Sequence, residues 1–322
     1  MRLLVTGGTG FLGRAIVDRL VGDSMVERLC VLSRDEHKVR ALADRYVEPN
    51  PLRWFVGDVR DRDRLRLACQ GVDAVIHAAA LKRIDAVVNE SVELDKTNVQ
   101  GTLNVLHAAL ECGVRRVLFV SSDKACMPCN AYGASKMMAE HHTVGFNAYS
   151  MPRGMACSVV RYGNVFGSTG SILGIWQRNA AAGRKLPLTD RRMTRFHIRI
   201  DEAVQFCLSS LGRMVGGEIF VPDLPAFRLV DLAEAIGGEI VTVGLRPGGE
   251  KLHETMLSHE EPGRTLLQGD RYVVTPAHKS WSSNMYKGDR LEIDPRLSSD
   301  CQERWMTVEA LRAEILKVPI VA

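Results

Sequence analysis

Short apolar runs alternate with amphipathic stretches along the first half of the chain. The apolar runs have the length and the content of β-branched residues typical of buried strands. Six runs are predicted as strands: Leu3–Thr6, Arg28–Leu32, Trp54–Val56, Ala74–His77, Arg116–Val120 and Ala156–Arg161. Five stretches between them are predicted as helices: Gly13–Val21, Lys38–Tyr46, Arg62–Gln70, Val99–Cys112 and Ala134–Phe146. Strands that alternate with helices favour right-handed crossovers, so we predict an α/β fold with a doubly wound parallel sheet.

The alternation breaks down after Arg161, where Gly, Ser and Pro become frequent and the segments shorten. A helix over Asp201–Leu211 and a strand over Glu218–Val221 are expected to return to the main sheet. We therefore predict a nucleotide-binding domain over 1–165 with a return segment over 197–221. Residues 166–196 and 222–322 are assigned to a smaller, discontinuous substrate-binding lobe. A ligand is expected outside the carboxyl ends of the strands, between these two parts.

Composition excludes several classes of protein. The 322 residues are 46% hydrophobic and 25% charged, as in a soluble protein that buries a core without disulfide bonds. Lys and Arg exceed Asp and Glu by 42 − 38 = 4, and aromatic residues make up only 6%. Neither the charge nor the aromatic content therefore indicates a protein that binds nucleic acid. Without a long apolar run or room for a signal peptide, we expect a cytoplasmic protein that does not enter a membrane.

The eight cysteines do not form a metal-binding pattern. They are scattered, and most lie in apolar segments, as reduced core thiols do. Cys126 and Cys129 form one C-x-x-C pair, but a second pair at zinc spacing is missing from the sequence. We therefore predict no metal site.

A glycine-rich turn follows the first predicted strand and opens the first helix. In the sequence LLVTGGTGFLG, glycines let backbone N–H groups approach a pyrophosphate, and the helix N-terminus adds a favourable dipole. This context indicates a Rossmann-like dinucleotide site, although a purely structural glycine turn is the alternative. The expected contacts are Thr6, Gly7, Gly8, Thr9, Gly10, Phe11, Leu12 and Gly13.

The end of the second strand favours NADP over NAD. Ser33 and Arg34 stand where NAD-binding folds usually place an acidic residue, and Lys38 follows one turn later. A small polar residue with a guanidinium suits a 2′-phosphate. The alternative is that Arg34 is a solvated surface residue and that Asp35 binds the ribose of NAD. Further cofactor contacts are expected from the ends of later strands and the segment after them: Asp58, Val59, Ala78, Ala79, Ala80 and Asn98.

A second motif supplies candidate catalytic groups. Tyr132 and Lys136 are four residues apart and share one helix face. An ammonium beside a phenol lowers the pKa of the phenol and favours proton exchange with a sugar hydroxyl. Ser122, at the end of the fifth strand, would hydrogen-bond to the same hydroxyl. A surface tyrosine and lysine are the alternative interpretation.

These motifs resemble the extended short-chain dehydrogenase/reductases. The resemblance is greatest to the branch of inverting UDP-N-acetylglucosamine 4,6-dehydratases, and it covers nearly the whole chain. Its segments include TGGTGFLG, SSDKA, YGASK, VVRYGNVFGSTGS, PLTDRRMTRF and LRPGGEKLHE. The resemblance implies an NADP-dependent lyase of polysaccharide biosynthesis that converts a UDP-sugar to a 4-keto-6-deoxy sugar. It also leads us to expect a homo-oligomer.

The resemblance further implies roles for single residues. Tyr132 would be the base for oxidation at carbon 4, supported by Lys136 and Ser122. Asp123 would protonate the leaving carbon-6 hydroxyl, and Lys124 would exchange the carbon-5 proton with inversion. Retaining relatives carry Asp-Glu where this chain has Asp123-Lys124, which is otherwise an ordinary polar pair. A lysine base must be neutral, so we expect the pKa of Lys124 to be lowered.

The resemblance places the substrate contacts mainly in the smaller lobe. Asn164, Arg195 and Arg246 would hold the diphosphate, Glu250 would bind the ribose hydroxyls, and Lys82 would touch the sugar. Structural roles are the alternative for Arg195 and Glu250. At the level of function, the rivals are a nucleotide-sugar epimerase or a dehydratase of different regiochemistry. A redox-sensing NADP-binding module without turnover is a more distant alternative.

Overall fold

The computed structural model describes residues 1–47, 50–82, 90–244, 249–278, 281, 286–291, 297–301 and 303–318. Its strands are β1 Arg2–Thr6, β2 Arg28–Ser33, β3 Leu52–Val56, β4 Ala74–His77, β5 Arg116–Val120, β6 Ala156–Val160, β7 Leu186–Leu188, β8 Thr194–Phe196, β9 Ile219–Pro222, β10 Ala226–Arg228, β11 Ile240–Thr242, β12 Thr265–Gln268, β13 Arg271–Val274 and β14 Asp289–Arg290. Its α-helices are α1 Phe11–Leu20, α2 Glu36–Ala43, α3 Arg62–Cys69, α4 Ser91–Leu94, α5 Gly101–Glu111, α6 Ala131–Gly145, α7 Asn147–Ser150, α8 Ile172–Ala181, α9 Ile200–Arg213, α10 Leu229–Ile236 and α11 Val308–Lys317.

The central sheet has the order β3-β2-β1-β4-β5-β6-β9, and all of these neighbours are parallel. From β1 the chain adds strands first towards one edge of the sheet and then, from β4 onward, towards the other edge. At such a reversal of strand order, the carboxyl ends of the two neighbouring strands β1 and β4 border one cleft. The predicted fold class, a doubly wound Rossmann-like α/β sheet, is confirmed. The six strands predicted for the first half are all present, with ends that differ by at most two residues.

Helices cover both faces of the sheet and bury its apolar side chains. One face packs against α1 and α9 through residues such as Ile16, Val17 and Phe206. The other face packs against α3 and α5 through residues such as Leu65 and Leu106. Strands covered on both faces need continuous apolar runs, which explains why the sequence pattern located them.

A smaller apolar core lies outside the sheet. Side chains from α8, β7, α10 and α11 form it, with Trp176 and Leu232 fully buried. Two short sheets, β7 with β11 and β8 with β10, border this core. The residues of this smaller core belong to the segments that the sequence analysis assigns to the second lobe, and the division into two lobes stays a prediction.

The segment after β9 departs from the predicted division. The prediction assigns 222–322 to the smaller lobe, yet β13, β12 and β14 extend the large sheet in antiparallel fashion beyond β9. The physical reason is the free edge of β9, whose backbone groups are satisfied by pairing with β13. Within the described residues no helix combines the length and apolarity needed to cross a bilayer.

Candidate active site

The glycine-rich turn between β1 and α1 requires glycine for steric reasons. Gly7 has φ +70°, and a Cβ there would lie 2.7 Å from the Ala79 nitrogen. A Cβ on Gly13 would lie 2.3 Å from the Gly7 oxygen. Gly10 is the N-cap of α1 and brings no capping side chain. The turn therefore leaves a cradle of bare backbone at a helix N-terminus, the setting in which phosphates bind.

A cleft extends from this turn along the carboxyl ends of the strands to α6. It brings together most of the predicted cofactor contacts: Gly7, Thr9, Gly10, Phe11, Leu12, Gly13, Ser33, Arg34, Lys38, Asp58, Val59, Ala78, Ala79, Ala80, Tyr132 and Lys136. Further lining residues were missed by the sequence analysis: Leu32, Gly57, Thr97, Val120, Ser121, Tyr162, Gly163, Val165 and Ser168. Several of these residues lie at or next to the ends of predicted strands, so their position in the sequence could have identified them as lining residues.

Three expected cofactor contacts do not line the cleft. Thr6 is buried and its hydroxyl is hydrogen-bonded to Nδ1 of His77 at 2.7 Å. Gly8 packs against β2, where a Cβ would lie 2.3 Å from Cγ1 of Val31. The Asn98 amide joins the Leu81 backbone to the Ser135 hydroxyl. Each of the three residues therefore contacts other protein groups next to the cleft and does not line the cleft itself.

The end of β2 carries the residues that bear on cofactor choice. The Ser33 and Thr9 hydroxyls are hydrogen-bonded at 2.6 Å, which connects this strand end to the glycine turn. Arg34 is exposed at the cleft. Asp35 accepts a hydrogen bond from the Lys38 backbone nitrogen and lies 3.2 Å from the Lys38 ammonium. Asp35 thus caps α2 and faces a cation, and both Arg34 and Asp35 line the cleft.

Lys136 lies beneath Tyr132 in the buried part of the cleft. Its amine donates to the Val120 carbonyl oxygen at 2.7 Å and lies 4.1 Å from the centre of the Phe119 ring. Burial lowers the pKa of Lys136 to about 7. Burial also raises the pKa of Tyr132 above its ordinary value, so the expected lowering of the phenol pKa is not observed. The loss of water around the phenol outweighs the effect of nearby cations.

Asp123 lies on a short 3₁₀ turn directly after β5 and is completely buried. Its Oδ1 accepts hydrogen bonds from the Ser122 hydroxyl at 2.9 Å and the Lys124 ammonium at 3.0 Å. Within the described part of the chain, Oδ2 has no hydrogen-bond partner. Burial raises the pKa of Asp123, which favours a protonated carboxyl able to donate a proton.

Lys124 has three oxygen partners. Its ammonium lies 3.0 Å from Asp123 Oδ1, 2.7 Å from Asn164 Oδ1 and 3.2 Å from Oε1 of Glu254. Burial opposes the charge, but the Asp123 and Glu254 carboxyl groups outweigh it and raise the pKa of Lys124. The expectation of a lowered pKa is wrong for this arrangement, because the sequence did not reveal the second carboxylate.

Glu254 is the functional candidate that sequence reasoning missed. It is 1% exposed, and Oε2 lies 3.5 Å from the Lys251 ammonium. Despite its burial, Lys124, Arg195 and Lys251 lower its pKa to about 2, so Glu254 is a carboxylate. The only sequence signal was the motif LRPGGEKLHE, in which Glu254 is the final residue.

The predicted substrate contacts divide into two groups. Lys82 and Asn164 line the cleft near the catalytic candidates. Arg195 instead donates to the backbone oxygens of Thr194 and Leu252 and to Oε1 of Glu250 at 2.9 Å. Arg195 and Glu250 thus form an ion pair with each other, the kind of contact that a structural role for both residues would involve. Arg246 lies outside the described residues.

Comparison with known proteins identifies the family. Residues 3–276 match the family described as polysaccharide biosynthesis protein. The chain belongs to this family. The chain is also 38% identical over 320 residues to a *Campylobacter jejuni* (strain 81-176) protein named UDP-N-acetylglucosamine 4,6-dehydratase (inverting). That alignment covers 96% of this chain and 95% of the relative. Proteins named UDP-glucose 4-epimerase are also similar to this chain, for example one from Rickettsia massiliae that is 35% identical over 281 residues.

Two solved structures share the fold of this polysaccharide biosynthesis family member. Pen from *Bacillus thuringiensis* has a TM-score of 0.88 and 29% identity, and the match covers 98% of each chain. DesIV from *Streptomyces venezuelae*, a dTDP-glucose 4,6-dehydratase with NAD and TYD bound, has a TM-score of 0.69 and 26% identity. That match covers 78% of this chain and 86% of DesIV. The predicted resemblance to the dehydratase branch is confirmed.

Proposed function

We propose that this protein is an NADP-dependent lyase that removes water across carbons 5 and 6 of UDP-N-acetylglucosamine, with inversion at carbon 5. The observation that carries the proposal is the position of Asp123 and Lys124. Both follow β5 directly, and Ser122 connects their turn to the cleft that Tyr132 and Lys136 line. A buried acid and an amine beside a phenol provide the proton donors and acceptors that such a dehydration needs.

The cleft fits a nicotinamide dinucleotide. The backbone cradle at Gly7, Gly10 and Gly13 would hold the pyrophosphate, since a Cβ at Gly7 or Gly13 would collide with neighbouring backbone and force this turn apart. Arg34 and Ser33 would hold the 2′-phosphate of NADP. When bound, the cofactor would take hydride from carbon 4 of the sugar and later return hydride to carbon 6.

The residues of the chain would move the protons. Tyr132, as a phenolate stabilised by Lys136, would take the proton of the carbon-4 hydroxyl and become the neutral phenol. Asp123, whose pKa is raised by burial, would when protonated donate to the departing carbon-6 hydroxyl. Lys124, once neutral, would remove the proton from carbon 5. The Lys124 ammonium donates to Asn164, which lines the cleft, and this contact would keep the amine near the sugar.

Incubation with NADP and UDP-N-acetylglucosamine in deuterated water tests the proposal. We expect a product that has lost one water, carries deuterium at carbon 5 and shows the inverted configuration by NMR. A product of unchanged mass would indicate an epimerase. A dehydrated product that keeps its carbon-5 configuration would indicate a retaining dehydratase, and tight NADP binding without turnover would indicate a sensor.

A further inference from the structure

Glu254 approaches the catalytic turn from a distant part of the chain and is fixed in place by backbone contacts. The Glu254 nitrogen donates to the Ser299 hydroxyl at 2.8 Å, and the Ser299 nitrogen donates to the Glu254 oxygen at 2.8 Å. The Ser299 hydroxyl is also hydrogen-bonded to that of Thr194 on β8. Glu254 is therefore held rigidly before any ligand binds.

The three partners of Lys124 match the three N–H groups of an ammonium. An ammonium has three donors and no lone pair. Asp123, Asn164 and Glu254 supply one acceptor each, at 3.0, 2.7 and 3.2 Å. An amine that accepts a proton from carbon needs a free lone pair, so one of these contacts must first be given up. Glu254 is the partner that a distant segment supplies, and Lys124, Arg195 and Lys251 hold it as a carboxylate.

We propose that Glu254 is a positioning residue, whose carboxylate aims Lys124 and holds it in its charged form until that ion pair is weakened. The inference rests on the proposed function, because it concerns the proton transfer at carbon 5. The Lys124 side chain is 19% exposed, so the proton that it gives up can leave to solvent through the cleft. The neutral amine then takes the carbon-5 proton and becomes charged again.

The other charged and titratable groups around Lys124 do not replace Glu254. Asp123 is adjacent in the turn, and its burial disfavours the charged form. Arg195 on β8 and Lys82 after β4 are cations, which disfavour a second positive charge at Lys124. The Lys251 ammonium instead acts on Glu254. Tyr132 on α6 is neutral because burial raises its pKa. Asp123 and Glu254 together retain the proton on Lys124, and Glu254 is the one of the two that a distant segment supplies.

Glu254→Gln tests this assignment because the amide keeps the size of the side chain and removes its charge. Brief labelling with acetic anhydride at a series of pH values, followed by peptide mass spectrometry, measures the neutral fraction of Lys124 without any need for turnover. The labelling midpoint is the pH at which Lys124 is labelled at half its maximal rate. We expect this midpoint to fall by about one pH unit or more in Glu254→Gln. Glu254→Asp, which keeps the charge, should retain a midpoint close to that of the wild type.

Two further variants separate electrostatics from loss of packing. Glu218→Gln alters a buried carboxylate that bonds to Ser158 and to the Val215 and Gly216 nitrogens, far along the chain from this turn. It should leave the Lys124 midpoint unchanged. Lys251→Met removes the competing cation from Glu254 and should move the midpoint upward. If Glu254→Gln fails to fold, this opposite shift still tests the proposal, because general loosening would not raise the midpoint.

The same variants should show the effect in catalysis. The pH at which carbon-5 deuterium exchange reaches half its maximum should fall in Glu254→Gln and remain near the wild-type value in Glu254→Asp. A Glu254→Gln enzyme that folds and has the wild-type labelling midpoint would overturn the role of Glu254. Absence of exchange in the wild type would instead refute the proposed function, while the labelling experiment would still decide the role of Glu254.

Discussion

The Lys136 amine on α6 donates a hydrogen bond to the carbonyl oxygen of Val120, the last residue of β5, at 2.7 Å. This bond fixes the helix that carries Tyr132 against the strand that leads to the Asp123–Lys124 turn. Because β5 and α6 are adjacent in sequence, both catalytic motifs depend on one local crossover. The amine lies 4.1 Å from the centre of the Phe119 ring, and burial lowers the pKa of Lys136.

Tyr132→Phe should reduce turnover by about 10²–10⁴-fold, because the ring still packs but no longer exchanges a proton. NADP affinity, measured by calorimetry, should remain at the wild-type value. Tyr149→Phe is the matched control, since Tyr149 is 71% exposed on α7 and should tolerate the change. Retention of a tenth or more of wild-type turnover would remove Tyr132 from the chemistry.

Arg34→Ala should weaken NADP binding and leave NAD binding nearly unchanged, because only NADP carries the 2′-phosphate. Loss of a charge-assisted hydrogen bond should cost on the order of 1.5–3 kcal/mol. Arg40→Ala, an exposed arginine on α2 that pairs with Asp44, serves as the control. Equal weakening of the two cofactors in Arg34→Ala would contradict the assignment of NADP.

Lys124→Ala should spare the first hydride transfer and block the steps after it. We expect reduced cofactor to accumulate, seen by its near-ultraviolet absorbance, without deuterium exchange at carbon 5. The reason is that Tyr132 and Lys136 remain, whereas the group proposed to take the carbon-5 proton is gone. Normal formation of the dehydrated sugar by this variant would show that another base removes that proton.

Gly13→Ala should disrupt the cofactor cradle. The added Cβ would lie 2.3 Å from the Gly7 oxygen and 2.7 Å from the Gly8 Cα, so backbone must shift. We expect NADP affinity to fall at least about tenfold, equivalent to roughly 1.4 kcal/mol. Gly22→Ala is the control, because a Cβ at Gly22 meets no heavy atom within 4 Å. Unchanged affinity in Gly13→Ala would argue against a pyrophosphate at this turn.

Arg161→Met should destabilise the fold. Arg161 is 3% exposed and pairs with Glu140 on α6 at 2.6 Å and with Glu261 at 2.8 Å. Removal of the guanidinium takes the nearest cation from two buried carboxylates and leaves Glu261 only Arg264 at 3.5 Å, which costs about 3–5 kcal/mol of unfolding free energy. Urea unfolding measures this loss. Arg192→Met, which breaks an exposed pair with Asp190, should change stability little, and equal losses would refute the argument.

Local pattern determined much of the fold. The apolar runs, the glycine turn and the four-residue spacing of Tyr132 and Lys136 are properties of short segments, so the sequence predicts them directly. The long helix over Ala131–Gly145 was predicted to begin three residues later. The Asn130 side chain caps this helix by accepting a hydrogen bond from the Gly133 nitrogen, and the periodicity of apolar residues does not reveal that cap.

Contacts between distant segments were decided only by the tertiary structure. The sequence alone established a parallel α/β sheet, a dinucleotide turn and the order Ser122, Asp123, Lys124, Tyr132, Lys136 in one crossover. It did not show that Glu254 lies 3.2 Å from Lys124, that Arg195 is engaged by Glu250, or that β13 closes the edge of β9. A sequence motif shows which side chains are present in one segment. The charge state of a buried lysine depends in addition on every carboxylate that the fold brings within a few ångströms of it.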